Sequence, residues 1–395
     1  MPKDTEKRSR YVNSLWEITV TDDRATLMIA ASESDSNLYY ATRFVAPDPF
    51  ILLEIKGERI MVMSDLELDR ARSQATVDRV LPYSEIERRV RAQGVPEPGT
   101  ADIVHAVLQE QAVKRILVPG NFPFAFAQRF QQLGYQLETK KEPFYERRAI
   151  KTDQEVGFIE ATQRSTEAAV AAAHAALCQA SMREGLLWLE GEPLTSERIK
   201  KLINVKLMEW DCVGQHTIVA GGEQACDPHH EGSGPLPADH SIIFDVFPRS
   251  AYTRYYADMA RTVVRGQASP ELRRLYQIVK DVQEEAISKI RDGADGAKIH
   301  QEICDRFESA GYRTGLVNGR MQGFFHGTGH GVGLDIHEHP RISRNGTYLQ
   351  EGEVVTVEPG LYYPGLGAVR IEDMVLVTRD GCRNLTNFPK VLELG

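Results

Sequence analysis

The chain has 395 residues, of which 42% are hydrophobic and 26% charged, so it is long enough for two domains with separate cores and is not a disordered protein. Its 47 basic and 56 acidic residues give a net charge of -9. Nucleic acids and anionic membranes usually require basic patches, so we expect neither as a partner.

The first ten residues are polar, and no run in the chain approaches about 18–20 apolar residues, so we predict neither a signal peptide nor a membrane-spanning helix. The five cysteines are scattered and never form a Cys-x-x-Cys motif. This spacing argues against a disulfide framework or a thiolate zinc site, and free thiols suit a reducing compartment. We therefore expect a cytoplasmic protein.

Residues 1–150 are predicted to form a smaller α/β domain, because short apolar runs of strand length alternate with segments of helical periodicity. The predicted strands are 25–31, 50–55, 59–63 and 115–120, the last of which ends in a turn, and the predicted helices are 100–114 and 124–133. The charged stretch 140–153 is interpreted as a connector.

Residues 151–395 are predicted to form a second domain, in which long helices and strands come in blocks. The predicted helices are 152–182, 195–210, 270–291 and 296–311, and the predicted strands are 241–247, 353–358 and 368–378. This arrangement is typical of an α+β fold rather than of a parallel βαβ array.

Several catalytic motifs are absent from the sequence. The glycines at 327, 329, 331 and 333 recur at every second position, which does not fit the Gly-x-Gly-x-x-Gly phosphate fingerprint, and no Walker lysine follows a glycine loop. His-Glu-x-x-His and Gly-x-Ser-x-Gly are also absent. Metal binding by carboxylates is the main chemistry that remains.

Charged side chains interrupt apolar strand segments of the second domain. For each one alone, a solvent-facing carboxylate or a hydrogen-bonded histidine is the simpler explanation. Together they predict a dinuclear metal site, because buried carboxylates require protonation or a shared cation. Period-two alternation in segment 368–378 places Arg370 and Glu372 on one strand face. The candidate ligands are Asp245, Asp258, His330, Glu358 and Glu372.

The order of these residues resembles that of the pita-bread metallopeptidases. The resemblance rests on His-Gly-Thr-Gly-His-Gly-Val-Gly-Leu-Asp-Ile-His-Glu (326–338), Thr-Val-Glu-Pro-Gly-Leu-Tyr (356–362) and Arg-Ile-Glu-Asp (370–373), and it extends from residue 153 to the C-terminus. Within that family, the chain most resembles the proline-specific enzymes aminopeptidase P and prolidase. Residues 37–44 resemble the family's creatinase-type N-terminal domain, so we expect that domain over 1–150 and the pita-bread catalytic domain over 151–395.

The resemblance implies a role for each matching position. Asp245 would bind one divalent ion, Asp258 and Glu372 would bridge two ions, and His330 and Glu358 would complete the second. A water between the ions would be the nucleophile, with Glu358 as acid/base group and His337 stabilising the tetrahedral intermediate. His326 would be a supporting histidine. Manganese is expected first, although this ligand set also tolerates cobalt, zinc or iron.

The implied substrate is a peptide with proline at the second position, cleaved between residues one and two. His229 and His337 would flank the proline ring, with His230 an alternative to His229, and Arg370 would support the metal ligands or a substrate carboxylate. No clear extra arginine is assignable in the N-terminal domain, which favours an Xaa-Pro aminopeptidase over an Xaa-Pro dipeptidase (prolidase).

The resemblance also implies an oligomeric state. Relatives commonly dimerise or tetramerise, so a homodimer or higher oligomer is expected. Two alternatives stay open, a catalytically silent pita-bread binding protein and a metal-free hydrolase like creatinase.

The spacing between Asp245 and Asp258 is 13 rather than the family's usual 11, and we expect the two extra residues to lie at a hairpin tip without changing the strand pairing.

Overall fold

The computed structural model describes residues 23–395, which separate into two compact units, the first ending at Tyr145 and the second spanning Glu146–Gly395. The polar start of the chain, on which the expectation of no signal peptide rests, lies outside the described residues. Within the described part of the chain, no helix combines the length and the apolar character that crossing a membrane requires.

The first unit contains one six-stranded sheet with the strand order β4-β3-β2-β1-β5-β6. Its strands are β1 Arg24–Ala30, β2 Phe50–Ile55, β3 Glu58–Met63, β4 Arg79–Pro82, β5 Arg115–Pro119 and β6 Gln136–Lys140. Its helices are α1 Ser36–Thr42, α2 Leu68–Gln74, α3 Tyr83–Ala92, α4 Thr100–Glu110 and α5 Phe124–Gln132.

The predicted elements of this unit recur with small shifts. Helix α4 ends at Glu110 rather than at residue 114, because Ala112 has a left-handed φ of 55° that an α-helix does not accommodate. Val107, Val113 and Ile116 are nevertheless buried in one core, so the apolar pattern past residue 110 belongs to the turn and the next strand.

The second unit contains four long helices and several small sheets. The helices are α6 Asp153–Gln179, α7 Ser196–Met208, α8 Pro270–Lys289 and α9 Gly296–Ser309, with 3₁₀ turns at Glu146–Arg148 and Gly222–Cys226. The strands up to residue 265 are β7 Ser181–Arg183, β8 Leu186–Leu189, β9 Glu192–Pro193, β10 Cys212–Val213, β11 Ile218–Gly221, β12 Ile242–Val246, β13 Arg249–Ser250 and β14 Met259–Arg265. The later strands are β15 Gly315–Val317, β16 Arg320–Gln322, β17 Gly329–Gly331, β18 Glu338–Ile342, β19 Val354–Val357, β20 Gly360–Tyr363, β21 Gly367–Arg370, β22 Asp373–Val377, β23 Cys382–Asn384 and β24 Glu393–Leu394.

Each pair of helices covers one sheet. The sheet β11-β12-β14-β24 shares a core with α6 and α7, in which Leu177, Ile203 and Phe244 are fully buried. The sheet β18-β17-β19-β22-β23 shares a second core with α8 and α9, through residues such as Val279 and Val355. Because the helices pack on the sheets from outside, polar side chains on the remaining strand faces are free to meet each other.

Segment 368–378 differs from its prediction as one continuous strand. It forms two strands, β21 and β22, that belong to different sheets and are separated at residues 371–372. The period-two argument for Glu372 therefore does not apply, since the backbone leaves one ladder and enters another at that point. The amide N–H of Glu372 donates instead to the carbonyl of Ala260 on β14.

Candidate metal centre

The two aspartates come from adjacent antiparallel strands. Asp245 on β12 pairs with Ala260 on β14, and Asp258 lies two residues before Ala260. Directly paired residues share a sheet face, as do residues two apart along extended backbone, so both carboxylates face the same side. Strand β13 lies between the two aspartates in the chain, and the β12–β14 ladder has no register shift.

The other three predicted ligands lie at strand positions of the second sheet and its neighbours. His330 is the central residue of β17, Glu358 directly follows β19, and Glu372 lies between β21 and β22. The imidazole Nδ1 of His330 lies 3.1 Å from the carbonyl oxygen of Gly331, which leaves Nε2 for a metal ion.

The structure brings these side chains together. One ligand atom from each of Asp258, His330 and Glu372 lies within 4.8 Å of the others, and all three residues are buried. The Nε2 atom of His330 lies 3.4 Å from Oε1 of Glu358 and 3.7 Å from Oδ2 of Asp258. Asp245 also lies close to this group, since its negative charge contributes to raising the pKa of Asp258, Glu358 and Glu372.

The protein alone leaves this cluster electrostatically unsatisfied. Burial, followed by the charges of neighbouring carboxylates, raises the pKa of Asp258 and Glu372 well above their usual range. Burial, together with the charge of Asp245, raises the pKa of Glu358 to about 8. Burial lowers the pKa of His330 to about 3, so the imidazole is neutral and able to bind a cation.

These residues fit divalent metal ions. The Oδ1 atoms of Asp245 and Asp258 are buried and have no hydrogen-bond partner within the described residues. Unpaired buried carboxylate oxygens are costly, and a divalent cation satisfies several of them at once. Carboxylate oxygens with one imidazole suit manganese, cobalt, zinc or iron.

Arg370 contacts protein groups on three sides. Its Nη2 donates to Oδ2 of Asp245 at 2.5 Å, while its Nη1 donates to Tyr362 Oη at 2.9 Å and to the Pro228 carbonyl at 3.2 Å. Nε2 of His326 lies 3.0 Å from the same Tyr362 hydroxyl. Arg370 and His326 therefore belong to a network that orients Asp245. The sequence analysis did not select Tyr362, and the available signal was its hydroxyl group in an otherwise apolar strand.

The histidines expected at the substrate side lie at the edge of the cluster. The ring of His337 is exposed and packs edge-on against His330, with 4.4 Å between centroids. His229 is exposed, and its charge contributes to lowering the pKa of His326 and His337, after burial and nearby arginines. Nδ1 of His230 instead accepts the Gly232 amide N–H at 2.9 Å, which supports His229 over His230 as the substrate-side histidine.

Arg341 is a further cationic residue that sequence reasoning did not select. It lies on β18 directly opposite His330 on β17, so the two side chains share a sheet face. Its charge acts on His330, His337 and Glu358. The guanidinium is half-buried, and no residue in the described part of the chain pairs with it by a hydrogen bond or an ion pair.

The comparisons with known proteins agree with this site. Residues 160–379, which include all five predicted ligands, match the model of metallopeptidase family M24. A protein of Pyrococcus furiosus named Xaa-Pro dipeptidase is 30% identical over 279 residues, which cover 70% of this chain and 74% of the relative.

Two solved structures show that the fold extends over nearly the whole chain. An Xaa-Pro dipeptidase from Bacillus anthracis superposes with a TM-score of 0.79 at 22% identity, covering 98% of this chain and 99% of its own. An X-Pro aminopeptidase from Thermotoga maritima has a TM-score of 0.77 at 22% identity, covering 94% and 97%. The predicted α+β pita-bread fold class and the predicted metallopeptidase activity are both confirmed: this chain belongs to metallopeptidase family M24.

Proposed function

We propose that the chain is a two-metal Xaa-Pro peptidase that hydrolyses the bond preceding proline and prefers dipeptides. The observation that carries the proposal is the convergence of Asp258, Glu372 and the neutral imidazole of His330, with Glu358 and Asp245 beside them and two buried aspartate oxygens left without partners in the described residues. The substrate class is supported by the 30% identical relative that is named an Xaa-Pro dipeptidase.

The five predicted ligands would hold the metal ions in this proposal. Asp258, Glu372 and His330 would form the centre of the ligand set, and Asp245 and Glu358 would complete it, so that the five side chains together would hold the ions. Divalent ions bound there would supply a more acidic water and a Lewis acid for the scissile carbonyl. Manganese is the first candidate metal, and cobalt, zinc and iron also suit these ligands.

The chain's own residues would perform the proton transfers and orient the substrate. The proline nitrogen must gain a proton in order to leave as a neutral secondary amine. Glu358 would accept the proton of the attacking water and return it to that nitrogen. His337 would donate a hydrogen bond to the carbonyl oxygen as negative charge develops on it, and His229 would border the proline ring.

The basic groups at the centre support a preference for dipeptides. Arg370 is committed to Asp245, Tyr362 and Pro228, so its proposed role is to orient Asp245 rather than to bind substrate. Arg341 has no such partners in the described residues and faces the same side as His330. A guanidinium without a counter-ion is suited to the free carboxylate of a dipeptide, whereas an aminopeptidase must leave that space open.

The test compares Xaa-Pro, Xaa-Pro-Yaa, Xaa-Ala and Xaa-Ala-Yaa peptides on metal-loaded protein, with released Xaa quantified. We expect cleavage of Xaa-Pro above all others, and Arg341→Met to raise KM for Xaa-Pro with little effect on Xaa-Pro-Yaa. Faster cleavage of Xaa-Pro-Yaa would favour the aminopeptidase alternative. Equal cleavage of the alanine peptides would contradict proline specificity, and no cleavage of any peptide would favour the silent binding protein.

A further inference from the structure

A cluster of charged side chains contacts the segment that carries His337, through one residue on each side of it in the chain. Glu338 follows His337, and its carboxylate accepts hydrogen bonds from Nη2 of Arg148 at 2.6 Å and from Nζ of Lys151 at 2.6 Å. The same Arg148 nitrogen lies 2.7 Å from Oδ2 of Asp335, two residues before His337. We call Arg148, Lys151, Asp335 and Glu338 the charge clamp.

Three of the four side chains of the charge clamp are almost closed to solvent, while that of Asp335 is 50% exposed. The side chains of Lys151, Arg148 and Glu338 are only 1%, 7% and 9% exposed. Buried ion pairs contribute little net stability compared with apolar side chains of similar size, because desolvation offsets the attraction. Their presence beside one loop therefore indicates a geometric role more than a stabilising one.

The loop that carries His337 is held by close contacts with neighbouring groups. It connects β17 to β18 and includes Gly333, whose amide N–H donates to the carbonyl of Asp335 and whose carbonyl accepts from Tyr256. The carboxylate of Glu338 packs over Gly333 so closely that a Cβ there would lie 2.2 Å from Oε1. The loop is therefore fitted around the Glu338 side chain.

The cations of the clamp are themselves held by backbone contacts. The amide N–H of Lys151 donates to the carbonyl of Gly352, and Ile150 forms a bridge with Glu353. Two residues later α6 begins, with Thr152 and Glu155 forming a capping box. Arg148 and Lys151 thus project from a fixed piece of backbone, which lets them define a position for the loop.

We propose that Arg148 and Lys151 are positioning residues that, by neutralising Glu338 and Asp335, hold the 332–338 loop so that His337 faces the metal centre. This inference rests on the proposed function, in which His337 contacts the substrate carbonyl. Displacement of such a group by about 1 Å is enough to cost about 10²-fold in rate. The substrate itself does not contact the clamp, so its loss should lower kcat more than it changes KM.

The first experiment is a cycle of variants on metal-saturated protein. Lys151→Met should lower kcat for Xaa-Pro about 10- to 100-fold, with KM nearly unchanged and metal content equal to that of wild type. In a His337→Ala background the same substitution should cause almost no further loss, because the residue through which it acts is gone. Lys151→Arg should restore most of the activity. Lys289→Met, which removes a lysine also held by two glutamates at 2.7 and 2.8 Å, is the matched control and should leave kcat unchanged.

The second experiment measures amide hydrogen exchange of the metal-free full-length chain and does not depend on activity. Lys151→Met and Glu338→Gln should each accelerate exchange in 332–338, whereas Lys289→Met should not. Equal kcat losses in the wild-type and His337→Ala backgrounds, or unchanged exchange in 332–338, would overturn the inference. If wild-type protein cleaves no Xaa-Pro peptide, the proposed function fails, and the exchange measurement still decides whether the clamp holds the loop.

Discussion

At the scale of single residues, the metal centre is a place where the protein accepts electrostatic cost. Asp258 and Glu372 are buried beside other carboxylates, and their raised pKa values show that the chain alone does not stabilise their charged forms. Among the described residues, Arg370 is the one buried arginine that forms an ion pair with the carboxylate of a predicted ligand. Such a centre is poor for stability without ions and well suited to binding them.

Glu358 is the ligand with a second proposed task, so its substitution tests the chemistry. Glu358→Gln keeps the shape of the side chain and removes its basicity, and we expect kcat to fall at least about 10²-fold. Steady-state kinetics at saturating metal should be paired with elemental analysis, since lost metal would explain the same result. Glu285→Gln on α8 is the control. Near-normal kcat in Glu358→Gln with full metal content would show that Glu358 is not the acid/base group.

At the scale of elements, the short strands carry the site and the long helices carry the cores. The predicted helices 152–182 and 270–291 are observed as Asp153–Gln179 and Pro270–Lys289, because amphipathic periodicity and capping residues define helix ends locally. The strand predicted over 368–378 is broken at Glu372. The prediction missed this break because a switch between sheets leaves no local signal in the sequence. Strand β17 shows a further tertiary requirement, since it needs glycine on both sides of His330.

Gly329 tests how closely β17 must approach its neighbour. A Cβ at this position would lie 1.9 Å from the carbonyl oxygen of Thr356, a backbone atom that cannot rotate away. Gly329→Ala should therefore lower the free energy of unfolding of the metal-free protein by about 3 kcal/mol or more. Gly157→Ala is the matched control, because nothing lies within 4 Å of its Cβ, and in a helix it should stabilise by about 0.5–1 kcal/mol. Urea titrations measure both, and equal stability of the two variants would contradict the close approach.

At the scale of the whole molecule, the two compact units have separate cores, and all five predicted ligands belong to the second unit. The assignment of the first unit as a creatinase-type domain stays a prediction, as does the homodimer or higher oligomer. The family match supports the second unit most strongly, since it covers residues 160–379.

Metal removal should therefore affect the two units unequally. An ion that binds only the folded state at about 100 times its Kd adds about 2.7 kcal/mol to the free energy of unfolding. For a unit of this size we expect the Tm of one transition to rise by about 5–10 °C on metal loading, while the other transition stays in place. Calorimetry with and without a chelator measures the shift. Glu372→Gln should abolish it, and an equal shift in that variant would place the stabilising ions elsewhere.

What the sequence by itself determined is the chemistry and the periodic structure. The spacing of apolar residues predicted the helices, and charged residues inside apolar strands predicted a metal centre, because both signals are local and carry a recognisable energetic cost. Only the tertiary structure decided which other groups meet that centre. Arg341 comes opposite His330 through strand pairing, Tyr362 joins Arg370 to His326, and Lys151 reaches Glu338 from a segment interpreted as a connector. Lys151 and Glu338 are 187 residues apart in the chain, and an isolated lysine in a charged stretch looks like a solvated surface residue until the fold buries it beside its partner.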